Sequence, residues 1–95
     1  MKASGSKRAR IIISGNVQGV FYRSSAADVA QKLGLVGWVK NTFGEGVEIV
    51  VEGEKESIEK LIEWCGQGPD FAKVENVEVA WEKPTAEFNT FGTIF

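Results

Sequence analysis

Val36-Gly-Trp-Val-Lys-Asn-Thr-Phe-Gly-Glu-Gly-Val-Glu-Ile-Val-Val-Glu-Gly53 reads as two short strands joined by a glycine-rich turn. Val47, Ile49 and Val51 alternate with Glu48 and Glu52, the period-two pattern of a strand with one dry and one wet face. Val36 to Asn41 precedes it across Gly44 and Gly46, so the pair predicts a β-hairpin. On both sides of this hairpin the period changes. Upstream, Ala26, Val29, Ala30 and Leu33 form a helical stripe from about Ser24, closed by Gly34 at a C′ position. Downstream, Ile58, Leu61, Ile62 and Cys65 mark a second helix from Glu54 to about Gln67, with Glu54 and Glu56 favourably placed in its first turn and Gly66, Gly68 and Pro69 ending it. Beyond the helices lie two more strands. Arg8 to Ser14 is apolar and β-branched up to Gly15, and Asn76 to Glu82 alternates Val77, Val79 and Trp81 with Glu78, Ala80 and Glu82 before Pro84. Thr90 to Phe95 is apolar enough for a last short strand. The order β-α-β-β-α-β predicts an α+β split βαβ sandwich: a four- to five-stranded antiparallel sheet with two helices on one face and the acidic alternate positions on the other, wet face.

With 95 residues there is room for one core, expected over 8–95 behind a flexible head at 1–7. A net charge of −2 gives no positive field for a phosphate backbone, so nucleic acid is not an expected partner. Neither a long apolar run nor a secretory signal is present at Met1 to Arg10, so no membrane association is expected and the expected location is cytoplasmic. A single cysteine, Cys65, excludes an internal disulfide and a Cys-only zinc site; it lies on the second helical stripe, where a buried structural thiol is expected. Histidine is absent, which removes Ser-His and Cys-His nucleophile pairs and most transition-metal sites. No cofactor or metal is expected, and the chain is expected to act as a monomer. Trp38, Trp64 and Trp81, scattered over two strands and a helix, are expected in the core or at its rim.

The segment from the first strand into the first helix, Gly15-Asn-Val-Gln-Gly-Val-Phe-Tyr-Arg23, carries the chemistry. Gly15 and Gly19 permit backbone angles that turn successive N–H groups inward as an anion nest, and the helix N-terminus adds unpaired donors and partial positive charge. Arg23 follows at once, and its planar fork can grip two phosphate oxygens. The same pattern also serves as a tight connection with a solvated arginine. Yet two of the three arginines sit in the first strand, leaving Arg23 as a candidate for a dedicated role.

This loop resembles that of the acylphosphatases, Gly-x-Val-Gln-Gly-Val-x-aromatic-Arg, at every defined position. A second element of that family, Gly-aromatic-Val-x-Asn followed by a turn and Val-Glu, is met by Gly37-Trp-Val-Lys-Asn41 and Val47-Glu48, and a Gly-Pro after the second helix by Gly68-Pro69. The resemblance implies a ferredoxin-like scaffold and metal-independent hydrolysis of small acyl phosphates to a carboxylate and inorganic phosphate. It assigns the phosphoryl group to Arg23 and the backbone N–H groups of Asn16, Val17, Gln18, Gly19, Val20, Phe21 and Tyr22. To Asn41 it assigns the attacking water, whose proton would pass to the substrate's own phosphate. Where the family has a Leu-Pro-Asp-Gly type of turn, this chain has Thr42-Phe-Gly-Glu-Gly46, a departure expected to hold Asn41 less firmly. The alternative function is an anion-binding module on the same fold, which would need the loop and Arg23 but not a water-orienting amide. Phe21 and Tyr22 either shape the acyl side of the site or anchor the loop by apolar packing.

Overall fold

A computed structural model describes residues 6–94. Its elements are β1 (Ser6–Asn16), α1 (Tyr22–Lys32), β2 (Val36–Asn41), β3 (Val47–Glu54), α2 (Lys55–Cys65), β4 (Lys73–Glu82) and β5 (Phe91–Ile94). They form one sheet in the order β4-β1-β3-β2-β5, and its first four strands with the two helices make the expected ferredoxin-like arrangement. The alternation of β1 and β3 sets the core. Ala9, Ile11 and Ile13 pair with Val51, Ile49 and Val47, and all six are buried beneath Tyr22, Ala26 and Ala30 of α1 and Ile58, Leu61 and Cys65 of α2. Each large aliphatic side chain so buried contributes about 1.5–3 kcal/mol. Among the described residues neither helix is long and apolar enough to cross a membrane.

Several boundaries differ from the periodic pattern. The strand expected to break at Gly15 continues to Asn16 through a register shift between Ser14 and Gly15. The shift is possible because Gly15 (φ 129°) lets the backbone of β4 approach so closely that a Cβ there would stand 2.2 Å from the Lys73 carbonyl oxygen. Of the expected flexible head, residues 1–5 lie outside the described residues, while Ser6 and Lys7 belong to β1 and pair with Glu54 and Gly53. Val77, Val79 and Trp81 share the helix-side face through pairing with Ile13, Ile11 and Ala9, but β4 is an edge strand and Trp81 stays 45% exposed. Trp64 packs on Tyr22 at 5.1 Å between ring centroids, as a rim residue should.

The sheet is mixed rather than antiparallel, because β5 pairs with β2 in parallel. The cause is where the chain re-enters. Glu82 at the end of β4 lies in the same cross-strand row as Arg8, Glu52 and Val36, the start of β2. A connection through 83–90 reaches ~26 Å when extended, against ~19 Å for four strand spacings, so it crosses to the far edge and enters beside the beginning of β2. In crossing it covers part of the face expected to be wet. The Thr85 and Ala86 N–H groups donate to the Glu52 carboxylate at 2.8 and 3.1 Å, and Phe88 packs its ring 5.5 Å from the Arg8 guanidinium carbon.

Beneath this strap Arg8 bridges Glu52 and Glu82, each at 3.0 Å, while Arg10 donates to Glu82 at 2.9 Å and to Glu48. Glu52 is 4% exposed. Burial works to raise its pKa, but the Thr85 N–H, the Arg8 guanidinium and the Ala86 N–H together hold it below the usual carboxylate range. A lowered folded pKa adds stability above the ordinary carboxylate pKa, and that contribution is lost as the pH falls through the folded value. Glu52→Gln is therefore expected to cost about 1–3 kcal/mol near neutrality, because Arg8 keeps Glu82 but loses the charged acceptor beneath the strap. In urea unfolding the deficit should shrink as the pH is lowered; an equal deficit at neutral and acid pH would show that the charge does not matter.

Candidate active site

The loop between β1 and α1 is fixed at both ends by side chains that the sequence pattern left ambiguous. Tyr22, 1% exposed, sits under the loop and donates its hydroxyl to the Cys65 carbonyl at 2.8 Å, tying the start of α1 to the end of α2. Burial, reinforced by Cys65, raises the pKa of this phenol, and burial pushes the Cys65 thiol up to about 12, so neither group offers an anion. Val17 is fully buried and Val20 packs against the core. Two apolar anchors thus flank Gly19, whose φ of 77° turns the chain between them.

Helix α1 begins at Tyr22, two residues before the periodic stripe suggests. Its N-cap, Phe21, is left-handed (φ 65°, ψ 20°) and supplies no side-chain cap, and its first turn holds no acidic residue. The first N–H groups of the helix therefore face the loop without a capping oxygen. Gln18 to Phe21 form the turn that leads into the helix, and among the described residues no side chain caps the N–H groups of Val17 to Phe21. Such a row of donors at the positive end of a helix suits an oxyanion.

Arg23 and Asn41 meet in one cleft. Val17, Gly19, Phe21, Tyr22, Arg23 and Ser24 line it together with Asn41 from the end of β2 and Thr93 from β5. It encloses about 280 Å³, the size for a small ligand. Arg23 donates from Nη1 to the Ile94 carbonyl at 3.0 Å, which holds the guanidinium at the mouth. Asn41 presents a buried Oδ1 that accepts no hydrogen bond among the described residues. Among the described residues no carboxylate, imidazole or thiol side chain lines the cleft.

The remaining loop residues are used differently. Asn16 ends β1 and lies outside the cleft lining, as do Gln18 and Val20. Gln18 instead reaches the β2–β3 turn, where its Nε2 donates to the Thr42 carbonyl at 3.0 Å and the Gly46 carbonyl at 2.7 Å. Together with the Thr42 N–H to Gly46 carbonyl bond at 3.0 Å, these contacts brace the turn that lacks a proline. Gly15, expected in the anion nest, serves the bulge against β4 and does not line the cleft. Thr93 and the Ile94 carbonyl were not legible in the sequence, since only the parallel pairing of β5 with β2 brings them alongside Asn41.

The chain matches the Acylphosphatase family model over residues 9–93. It is 48% identical over 88 residues to an acylphosphatase of Pelotomaculum thermopropionicum, covering 93% of this chain and 96% of the relative. To an acylphosphatase of Pyrobaculum calidifontis it is 50% identical over 88 residues, covering 92% and 80% of the two chains. The structure of an acylphosphatase from Coxiella burnetii superposes with a TM-score of 0.90 at 37% identity, over 96% of this chain and 95% of that one. With the family model spanning nearly all of its sheet and both helices, the chain belongs to the acylphosphatase family and is an enzyme that hydrolyses acyl phosphates.

Proposed function

We propose that the hydrolysis runs without a metal ion, with the phosphoryl group held by Arg23 and the loop N–H groups and the attacking water oriented by Asn41. The observation that carries this is that Asn41 lines the same cleft as Arg23 and that its buried Oδ1 accepts no hydrogen bond among the described residues. A buried acceptor without a donor costs about 1–3 kcal/mol. A water molecule supplies the missing donor, and its lone pair is then turned towards a phosphorus seated over the loop.

In the step so arranged, the water oxygen forms a bond to phosphorus as the bond from phosphorus to the acyl oxygen breaks. The carboxylate leaves with that electron pair, and a water proton passes to a phosphoryl oxygen. An amide is neither acid nor base at neutral pH, so Asn41 orients the water and the substrate's own phosphate takes the proton. Because the carboxylate is a good leaving group, what the protein must supply is positioning and charge stabilisation. An arginine fork with a row of N–H donors meets that need. The lining residues also suit it, since a cleft with Arg23 and, among the described residues, no carboxylate or imidazole side chain disfavours a bound cation.

Anion binding without turnover is not favoured: it gives no reason to leave an acceptor buried and unpartnered beside the loop. The free buried thiol of Cys65 suits a reducing, cytoplasmic compartment. Hydrolysis of an aryl acyl phosphate by the purified protein should be unchanged by excess chelator. Activity that disappears with chelator and returns with a divalent ion would overturn the metal-free mechanism.

A further inference from the structure

Phe21 occupies a position where phenylalanine works against stability in three ways. Its backbone is left-handed at φ 65°, a conformation that bulky L residues avoid. It stands at the N-cap of α1, where serine, threonine, asparagine or aspartate would satisfy an open N–H, and it supplies no side-chain cap. Its ring is 81% exposed, so little packing offsets these costs. Phe43 and Phe71 are also strongly exposed, but of the three only Phe21 lines the cleft that holds Arg23 and Asn41.

We propose that the Phe21 ring is the wall against which the acyl group of the substrate lies, and that it makes the enzyme favour acyl phosphates with a flat, apolar acyl group over short ones. This rests on the placement of the phosphoryl group over the loop. Once the phosphoryl oxygens take the N–H donors and Arg23, the carbon skeleton of the substrate projects out of the polar end of the cleft. Phe21 supplies the only exposed aromatic surface in the cleft lining, among the described residues. An aromatic acyl group can stack on it; an acetyl group has too little surface to do so.

The test is the ratio of kcat/KM for benzoyl phosphate to kcat/KM for acetyl phosphate, measured in the wild type, Phe21→Gly and Phe21→Asn. Both replacements tolerate φ > 0, so the fold is kept while the ring is removed. Taking the ratio cancels any change in the handling of the phosphoryl group, which is common to both substrates. The ratio is expected to fall about tenfold in both variants. A ratio that stays within about threefold of the wild type in both would overturn the proposal. Arg23→Ala, assayed alongside, separates the two levels. If it loses turnover of both substrates while the Phe21 ratio is unchanged, only the acyl wall fails. If it hydrolyses both at the wild-type rate, the placement of the phosphoryl group fails and the acyl wall with it.

Discussion

Arg23→Ala is expected to lower kcat for acyl phosphates by about a thousandfold or more and to weaken inhibition by inorganic phosphate in parallel. The guanidinium faces charge on the phosphoryl oxygens both in the bound substrate and in the transition state, so its loss should appear in binding and in rate. Local physics makes this variant informative. Arg23 is in the first turn of α1, where the helix dipole disfavours a cation, and that turn itself contains no acidic residue. Removing the charge relieves that repulsion while it loses the bond to the Ile94 carbonyl, two effects of opposite sign on folding stability. Arg23→Lys keeps the charge but not the two-pronged geometry, and should fall between the two. Steady-state kinetics with phosphate as competitor, beside urea unfolding, measures all of this. Large destabilisation with little kinetic effect would mean that Arg23 is a structural tie for β5.

Asn41→Ala is expected to behave differently, with kcat down by about a hundredfold to a thousandfold and inorganic phosphate binding close to that of the wild type. An orienting group for water acts on the nucleophile and leaves the phosphoryl cradle intact. Its stability should hold or rise, by up to about 1 kcal/mol, because the substitution removes a buried oxygen that has no protein donor among the described residues. Active sites are where such costs are retained. Two results would sink the assignment: a phosphate affinity that falls as far as the rate, or a loss of stability that shows the amide to be a structural partner. Asn41→Asp supplies a further check, since a second negative charge next to the phosphoryl group should repel it and weaken phosphate binding.

The local elements were legible because each depends on near neighbours. The alternation of Val47, Ile49 and Val51 with acidic residues specifies a strand wherever it is placed, and the spacing of Ile58, Leu61 and Cys65 specifies a helix face. Arg23 and Asn41 were legible as candidates because both belong to short motifs carried by a loop and a strand end. The sequence alone also excluded imidazole chemistry and a disulfide framework by composition.

Periodicity records which side of a strand is dry; it does not record what lies beside the strand. Hydrogen-bond pairing between distant segments decided that β5 runs parallel to β2, that Thr93 reaches the cleft, and that the Ile94 carbonyl holds Arg23 across 71 positions of sequence. The same holds for the strap that buries Glu52 against Arg8, and for Gln18, which looks like a loop residue in sequence and braces the turn after Asn41 in space. Amino-acid identity fixed the local conformations and the chemical groups available. Only the closing of the sheet, which sums weak contacts between segments far apart in the chain, determined which of those groups meet.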